Sequence, residues 1–401
     1  MFPIARRALC AAVLFLLSLP VEAIAQARFE VLPLEGGFPI DAYYSLGVSA
    51  DGRSVVGRNA FGQTSGAATG AVWREGEGLT DLGGFPPSSP GGFVVSYAYG
   101  ISADGSTVAG QASGGTAIAS SGEAVLFRSD GTIVPMAGDL VGDSYGFDVS
   151  ADGSVAVGTH VGGFATTSGF VYDDVNGRRM INDLILHTGA SHAGAISDDG
   201  RAIAGWLAAD TISNPEAYLY HETEGLRRLG FIPNGSYSRA DAISADGSTV
   251  VGYATDDVGG FAMKWTEAEG MVSLGSLLPG LPNRRLSQAY GVSGDGSVVV
   301  GESNGRAFVH SDAYGGMVSV QDLLIGLGVV GLEDWILYEA TGVSHDGKVI
   351  TGWGFNESEG LYSAAWRAVI PEPSTALLVG LGLMAIASPP RRRREARSEP
   401  R

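Results

Sequence analysis

The sequence predicts an all-β fold, a seven-bladed β-propeller in which each blade has four strands. A Ser-x-Asp-Gly segment occurs seven times, at intervals of 47 to 53 residues. Each copy contains short apolar runs separated by turn residues, which is the pattern of a propeller blade. The last copy lacks a fourth run, and the first residues after an apparent leader supply one.

Each repeat has the same order of parts. A first strand ends in Val-Ser or Ile-Ser, and the Asp-Gly pair that follows predicts a type I′ hairpin turn. A second strand carries Val-Val-Gly or a variant, and after a variable loop a third strand ends near a large residue such as Trp73 or Trp265. A short acidic or glycine turn then leads to the fourth strand. The repeated aspartates are Asp51, Asp104, Asp152, Asp199, Asp246, Asp295 and Asp346.

The two ends of the body predict how the ring closes. The seventh copy stops after its third strand at Trp366, whereas residues 28–36 read like the fourth strand of the other copies. We therefore expect the first strand of the mature chain to complete the last blade, which removes an open sheet edge. Outside this pattern, only short segments such as Gln321–Leu327 suggest a helical turn.

Residues 1–27 have the organisation of a secretory signal peptide. Arg6 and Arg7 precede a twelve-residue apolar run, and small residues suited to cleavage follow Pro20. The run is short for an uncleaved membrane anchor, which is the alternative. Cys10, the single cysteine, lies within this segment, so the mature chain has no disulfide and no cysteine nucleophile.

Residues 371–401 form a second separate segment with three parts. Pro371, Glu372, Pro373 and Ser374 come first, a short apolar helix over 376–387 follows, and the arginines Arg391, Arg392, Arg393 and Arg394 end it as a stop-transfer cluster. This arrangement resembles the PEP-CTERM sorting signal of Gram-negative bacteria. The resemblance implies transient anchoring in the inner membrane, recognition by an exosortase-type membrane protease and release to the cell surface or extracellular matrix. The alternative is a plain C-terminal anchor.

The repeats of the body, 28–370, resemble the HAF family of bacterial extracellular repeats. The nearest match to the His-Ala-Phe stretch is Arg306-Ala307-Phe308, where arginine stands in the histidine position. The resemblance covers about residues 40–368 and implies export, with no established activity.

Charge excludes one class of partner. Eight basic and four acidic residues lie outside 28–370, which leaves 17 basic and 39 acidic residues and a net charge of −22 in the body. A nucleic-acid site needs clustered lysine and arginine, so we expect no nucleic-acid partner. Solubility accounts for this charge, and binding of divalent cations is the alternative.

The sequence contains no catalytic motif that we can assign, and we expect no cofactor and no metal site. Each Asp-Gly turn offers one carboxylate, whereas a calcium loop needs several, and the histidines lack metal-ligand spacing. The short turns should leave one face flat, and the variable loops should make the opposite face loop-rich. Aromatic residues expected on that face, which could stack on a sugar ring or pack between blades, are Trp206, Tyr237, Trp335 and Trp353.

These observations predict a non-catalytic, exported binding or structural component of the cell surface or exopolysaccharide matrix. The alternative is a polysaccharide-processing hydrolase or lyase with its site on the loop-rich face. Paired carboxylates from different blades would favour the enzyme, and a channel filled by valine and isoleucine would count against it.

Overall fold

A computed structural model describes residues 26–35, 47–59, 68–86, 93–115, 122–136, 138, 142–162, 167–209, 214–278 and 287–371. They form a seven-bladed β-propeller of four-stranded antiparallel blades, as the sequence predicts. The signal peptide and all of the sorting tail after Pro371 lie outside the described residues, so their predicted helices stay predictions. No helix within the described ranges is long and apolar enough to cross a membrane.

Blades two to six each run outward from the channel in chain order. Blade two has β5 (Phe93–Ile101), β6 (Thr107–Gly115), β7 (Glu123–Arg128) and β8 (Ile133–Pro135), and blade three has β9 (Gly142–Val149), β10 (Val155–Gly162), β11 (Thr167–Asp173) and β12 (Gly177–Met180). Blade four has β13 (Ala190–Ile196), β14 (Ala202–Ala208), β15 (Glu216–His221) and β16 (Gly225–Gly230), and blade five has β17 (Tyr237–Ile243), β18 (Thr249–Thr255), β19 (Gly260–Thr266) and β20 (Gly270–Ser273). Blade six has β21 (Gln288–Val292), β22 (Val299–Ser303), β23 (Arg306–Ser311) and β24 (Gly316–Ser319).

Blades one and seven share one continuous sheet. Blade one has β2 (Ser54–Asn59), β3 (Thr69–Arg74) and β4 (Gly78–Asp81), and Val48 bridges Val55 at its inner side. Blade seven has β25 (Trp335–Val343), β26 (Val349–Asn356) and β27 (Leu361–Val369), and its fourth strand is β1 (Arg28–Glu35). Short helices at Ile181–Ile185 and Val320–Gly326 and 3-10 turns at Asp312–Tyr314 and Glu357–Glu359 complete the described secondary structure.

The N-terminal strand closes the ring as predicted. β1 runs antiparallel to β27 with Arg28 opposite Val369, and its last residue, Glu35, pairs with Arg58 of β2. Leu32 and Leu34 are fully buried in the apolar layer between blades seven and one. The strand therefore stabilises the ring by edge pairing and by burial of apolar surface.

Backbone hydrogen bonds encircle the channel at the Asp-Gly turns. The residue before each repeated aspartate donates its N–H to the carbonyl of the equivalent residue in the next blade, at 3.0 to 3.3 Å. The circuit runs through Ala50, Ala103, Ala151, Asp198, Ala245, Gly294 and His345 and returns to Ala50. The seven blades thus form one closed ring of backbone hydrogen bonds.

The Asp-Gly turns differ from the predicted type I′ geometry. In the first, Gly52 N–H bonds Ser49 carbonyl at 2.9 Å, which places Ala50 and Asp51 at the centre of the turn. A type I′ turn would need a positive φ at aspartate, but only glycine has one, with φ of 70° to 75° in all seven turns. The prediction was wrong because it treated the pair as an isolated hairpin and ignored the serine two residues before aspartate.

That serine and the aspartate hold the turn together through the same three hydrogen bonds in every blade. The serine Oγ donates to aspartate Oδ1 at 2.6 to 2.8 Å. Aspartate Oδ1 accepts the N–H two residues later, and serine Oγ accepts the N–H five residues after it. The repeated carboxylates are therefore used by the turn itself.

Candidate functional site

The Val-Val-Gly motif shapes the channel. A Cβ on its glycine would overlap the carbonyl oxygen of the neighbouring first strand in blades two to seven. This close approach accompanies a β-bulge, which pushes one extra residue of the first strand out of register. In each of these six blades one bulged residue lines the channel, and these residues are Tyr99, Phe147, Gly194, Asp241, Tyr290 and Thr341.

The channel holds a cavity of about 500 Å³, within the ~300–1,000 Å³ range of small-ligand sites. At the turn end its lining is aliphatic and includes Val48, Ile101, Ile243, Val292 and Val343. Toward the loop-rich face the lining becomes aromatic and polar. Aliphatic side chains thus surround the turn end of the cavity, and its aromatic and polar side chains lie nearer the loop-rich face.

Blades two to four contribute an aromatic wall. The ring centroids of Tyr99 and Phe147 are 5.8 Å apart, and those of Phe147 and His192 are 5.0 Å apart. The His192 ring stacks on Trp206 with a centroid distance of 5.6 Å and an angle of 9° between the ring planes. Burial, and then the charge of Arg239, lower the pKa of His192 to about 3. The imidazole is therefore neutral at pH 7, and its buried Nδ1 has no hydrogen-bond partner in the described part of the protein.

Blades five and six contribute a polar wall. Gln288 Nε2 donates to Asp241 Oδ2 at 2.8 Å, and Arg239 Nε lies 3.3 Å from Asp241 Oδ1. These contacts fix the carboxylate and the amide in one orientation and balance the charge of Asp241 with that of Arg239. These blades therefore present oriented polar groups to the cavity, next to the aromatic residues of blade four.

Asp148 is a second carboxylate in the cavity wall. Its oxygens accept the N–H groups of Val149 at 2.9 Å and of Ile196, in the next blade, at 3.0 Å. Burial raises its pKa to about 7, and the nearby charge of Asp198 acts in the same direction. Part of the side chain still reaches the cavity, so Asp148 is available to a ligand in a partly protonated state.

The four predicted aromatic residues separate into two groups. Trp206 and Tyr237 line the cavity. Trp335 is 4% exposed and packs edge-on against Phe29, whereas Trp353 is 3% exposed and donates to Glu339 Oε2 at 2.9 Å. Two of the four therefore lie at the candidate site, and two lie in the interior of blade seven.

Sequence reasoning missed Phe147, Asp148, His192, Asp241 and Gln288. One signal was present for Asp148, because the equivalent position in the other six repeats is glycine or alanine. Among the described residues, no group of three or more histidine, cysteine, aspartate or glutamate side chains is placed to hold a metal ion.

The predicted sorting motif lies outside the described residues except for its first residue. Pro371 is the last described residue, and Glu372, Pro373, Ser374 and the arginines 391–394 lie outside the described residues. Their assignment stays a prediction.

No family model matches the chain, and no curated protein matches it. Several solved structures are similar. An oligogalacturonate lyase from Vibrio parahaemolyticus is 12% identical, with 86% of this chain and 98% of that chain covered and a TM-score of 0.52. An oligogalacturonate lyase in complex with manganese is 12% identical, covers 88% and 98%, and has a TM-score of 0.51.

A third similar structure is TolB from Acinetobacter baumannii, 19% identical, with 55% of this chain covered and a TM-score of 0.39; this chain spans about half (51%) of its length. At 12% identity, the two oligogalacturonate lyase structures show a shared fold and leave activity open. The chain is a seven-bladed β-propeller.

Proposed function

We propose that the protein is an exported, non-catalytic glycan-binding component of the cell surface or exopolysaccharide matrix. The observation that carries the proposal is a cavity lined both by the rings of Phe147, His192 and Trp206 and by the hydrogen-bonded Asp241–Gln288 pair. Aromatic faces pack against the apolar side of a sugar, and carboxylate and amide groups bind hydroxyls.

The predicted chain ends support an extracellular location. A signal peptide over 1–27 directs export, and the tail over 371–401 resembles a signal that an exosortase-type protease removes. In this proposal the tail anchors the chain transiently in the inner membrane through 376–387. Cleavage near Pro371 then frees the propeller for the surface or matrix.

Co-sedimentation with the producing bacterium's exopolysaccharide tests this function. The chain from Arg28 to Ile370, which contains every strand of the ring, should pellet with the polymer. Trp206→Ala should reduce the bound fraction at least about tenfold, whereas Val258→Ala, on an exposed loop of the same face, should not. If the wild-type chain binds the polymer neither with calcium nor without it, the proposal is contradicted.

Asp148 favours a second candidate, a polysaccharide-processing hydrolase or lyase. A carboxyl group with a pKa of about 7 suits a general acid. If the protein is such an enzyme, incubation of the polymer with it should shorten the polymer, and Asp148→Asn should abolish the shortening while binding persists. Polymer of unchanged length after binding supports the non-catalytic function.

A further inference from the structure

Two side chains meet across the channel at the end formed by the Asp-Gly turns. His345 Nε2 lies 3.4 Å from Asp198 Oδ1. These residues belong to blades seven and four, which have two blades between them on one side of the ring and three on the other. Their contact therefore crosses the axis of the channel, inside the circle of seven backbone hydrogen bonds.

The two residues interrupt a pattern of small side chains. The equivalent position is alanine in four of the other five repeats and glycine in the fifth. Methyl groups would leave the exit open, whereas the Asp198–His345 pair spans it. The pair lies beyond the aliphatic turn end of the cavity, which residues such as Val292 and Val343 line, and it obstructs the passage of a polymer through the channel.

The ligand must therefore enter and leave on the loop-rich side. Tyr237 and Gln288 begin first strands and Pro215 directly precedes β15, so these lining residues mark the end of the cavity that lies toward the loop-rich face. A cavity of about 500 Å³ has the size of a small-ligand site, and a polymer that cannot pass through the channel reaches such a cavity by a chain end.

The charges of the cavity select against acidic groups. The charge of Arg239, the one cation among the described lining residues, is balanced by Asp241, and His192 is neutral. The lining therefore carries no net positive charge, and an incoming carboxylate or sulfate would be buried beside Asp148 and Asp241 at a desolvation and repulsion cost.

We propose that the cavity binds one neutral sugar unit at the end of a glycan chain, inserted from the loop-rich face. This inference rests on the proposed glycan-binding function and specifies its ligand. The sugar ring lies along His192 and Trp206, and its hydroxyls bond the carboxylate of Asp241, which Gln288 holds in place. Chain ends are recognised, and chain interiors are not.

The number of chain ends provides the test. Partial acid hydrolysis that shortens the exopolysaccharide about tenfold multiplies its ends by about ten at equal mass. End recognition predicts that the saturating amount of the 28–370 protein per gram of polymer rises about tenfold, measured by ultracentrifugation or calorimetry. An unchanged capacity overturns the inference but leaves the proposed function intact, whereas no binding to either preparation overturns the proposed function itself.

Two further measurements test the chemistry. Reducing the polymer's uronic acids to neutral hexoses should leave the affinity within about twofold, and a tenfold loss would contradict a neutral ligand. Trp206→Ala and, independently, the isosteric Asp241→Asn should each weaken binding to the shortened polymer at least about tenfold. Val258→Ala is the matched control, and unaltered binding by both cavity variants would place the ligand elsewhere.

Discussion

Ring closure by β1 makes a quantitative prediction for Leu32. This side chain is 1% exposed and packs with Val55, Ala71 and Ala365 between blades seven and one. Leu32→Ala removes buried methyl groups and leaves a cavity, which costs about 3 kcal/mol. With an unfolding entropy of about 2.1 cal/mol/K per residue over about 340 residues, this cost lowers the melting temperature by about 4 °C.

The neighbouring residue provides the control. Val31 lies in the same strand but points to the opposite side and is 42% exposed. Val31→Ala should shift the melting temperature by less than about 1 °C. Scanning calorimetry on both variants measures the difference, and equal shifts would refute the placement of β1 between the two blades.

Three other predictions concern charge. Glu30→Gln removes one of the two carboxylates beside the buried Arg367, which keeps Glu75 as a partner; because the guanidinium charge stays compensated, urea unfolding should show a loss of only about 1 kcal/mol, and an unchanged stability would contradict a structural role for Glu30. Between about pH 4 and pH 7, Asp148 is protonated in the folded protein but ionised in the unfolded chain. The stability of the wild-type protein relative to Asp148→Asn should therefore fall as pH rises through that window. A constant difference in stability would refute the raised pKa. Backbone and serine hydrogen bonds lower the pKa of Asp104, so Asp104→Asn should destabilise the fold at neutral pH, and the difference should shrink as pH falls below the ordinary pKa of aspartate and through the lowered pKa of the folded state; a difference that persists in strong acid would exclude the charge as its cause.

The blades and their closure could be predicted from sequence because the signals are local and repeated. Each Ser-x-Asp-Gly turn is flanked by apolar strands, and the spare strand at 28–36 matched the missing strand after Trp366. The turn type was mispredicted, and the reason is also local. The Ser49 hydroxyl bonds Asp51 and the backbone of Ser54, which shifts the turn one residue earlier than an isolated Asp-Gly pair would place it.

The cavity could be predicted only in part because it depends on approach between strands. Trp206 and Tyr237 were identified as aromatics near the loop-rich face. Asp241 was missed, because an alternating strand pattern does not show that residue 241 is bulged out of register with β18. The absent Cβ of Gly252 accommodates that bulge, and its consequence for a side chain eleven positions earlier is invisible in either strand alone.

The repeats also show where specificity resides. Serine, aspartate and glycine of the turn, a valine or isoleucine before the serine, and the glycine of the second strand recur because the closed ring requires them. The bulged position varies instead, with Tyr99, Phe147, Gly194, Asp241, Tyr290 and Thr341 in successive blades. A sevenfold backbone therefore surrounds a cavity with no sevenfold symmetry in its side chains. An asymmetric ligand such as a single sugar unit requires that combination, because a symmetric lining would offer it seven equivalent and poorly matched orientations.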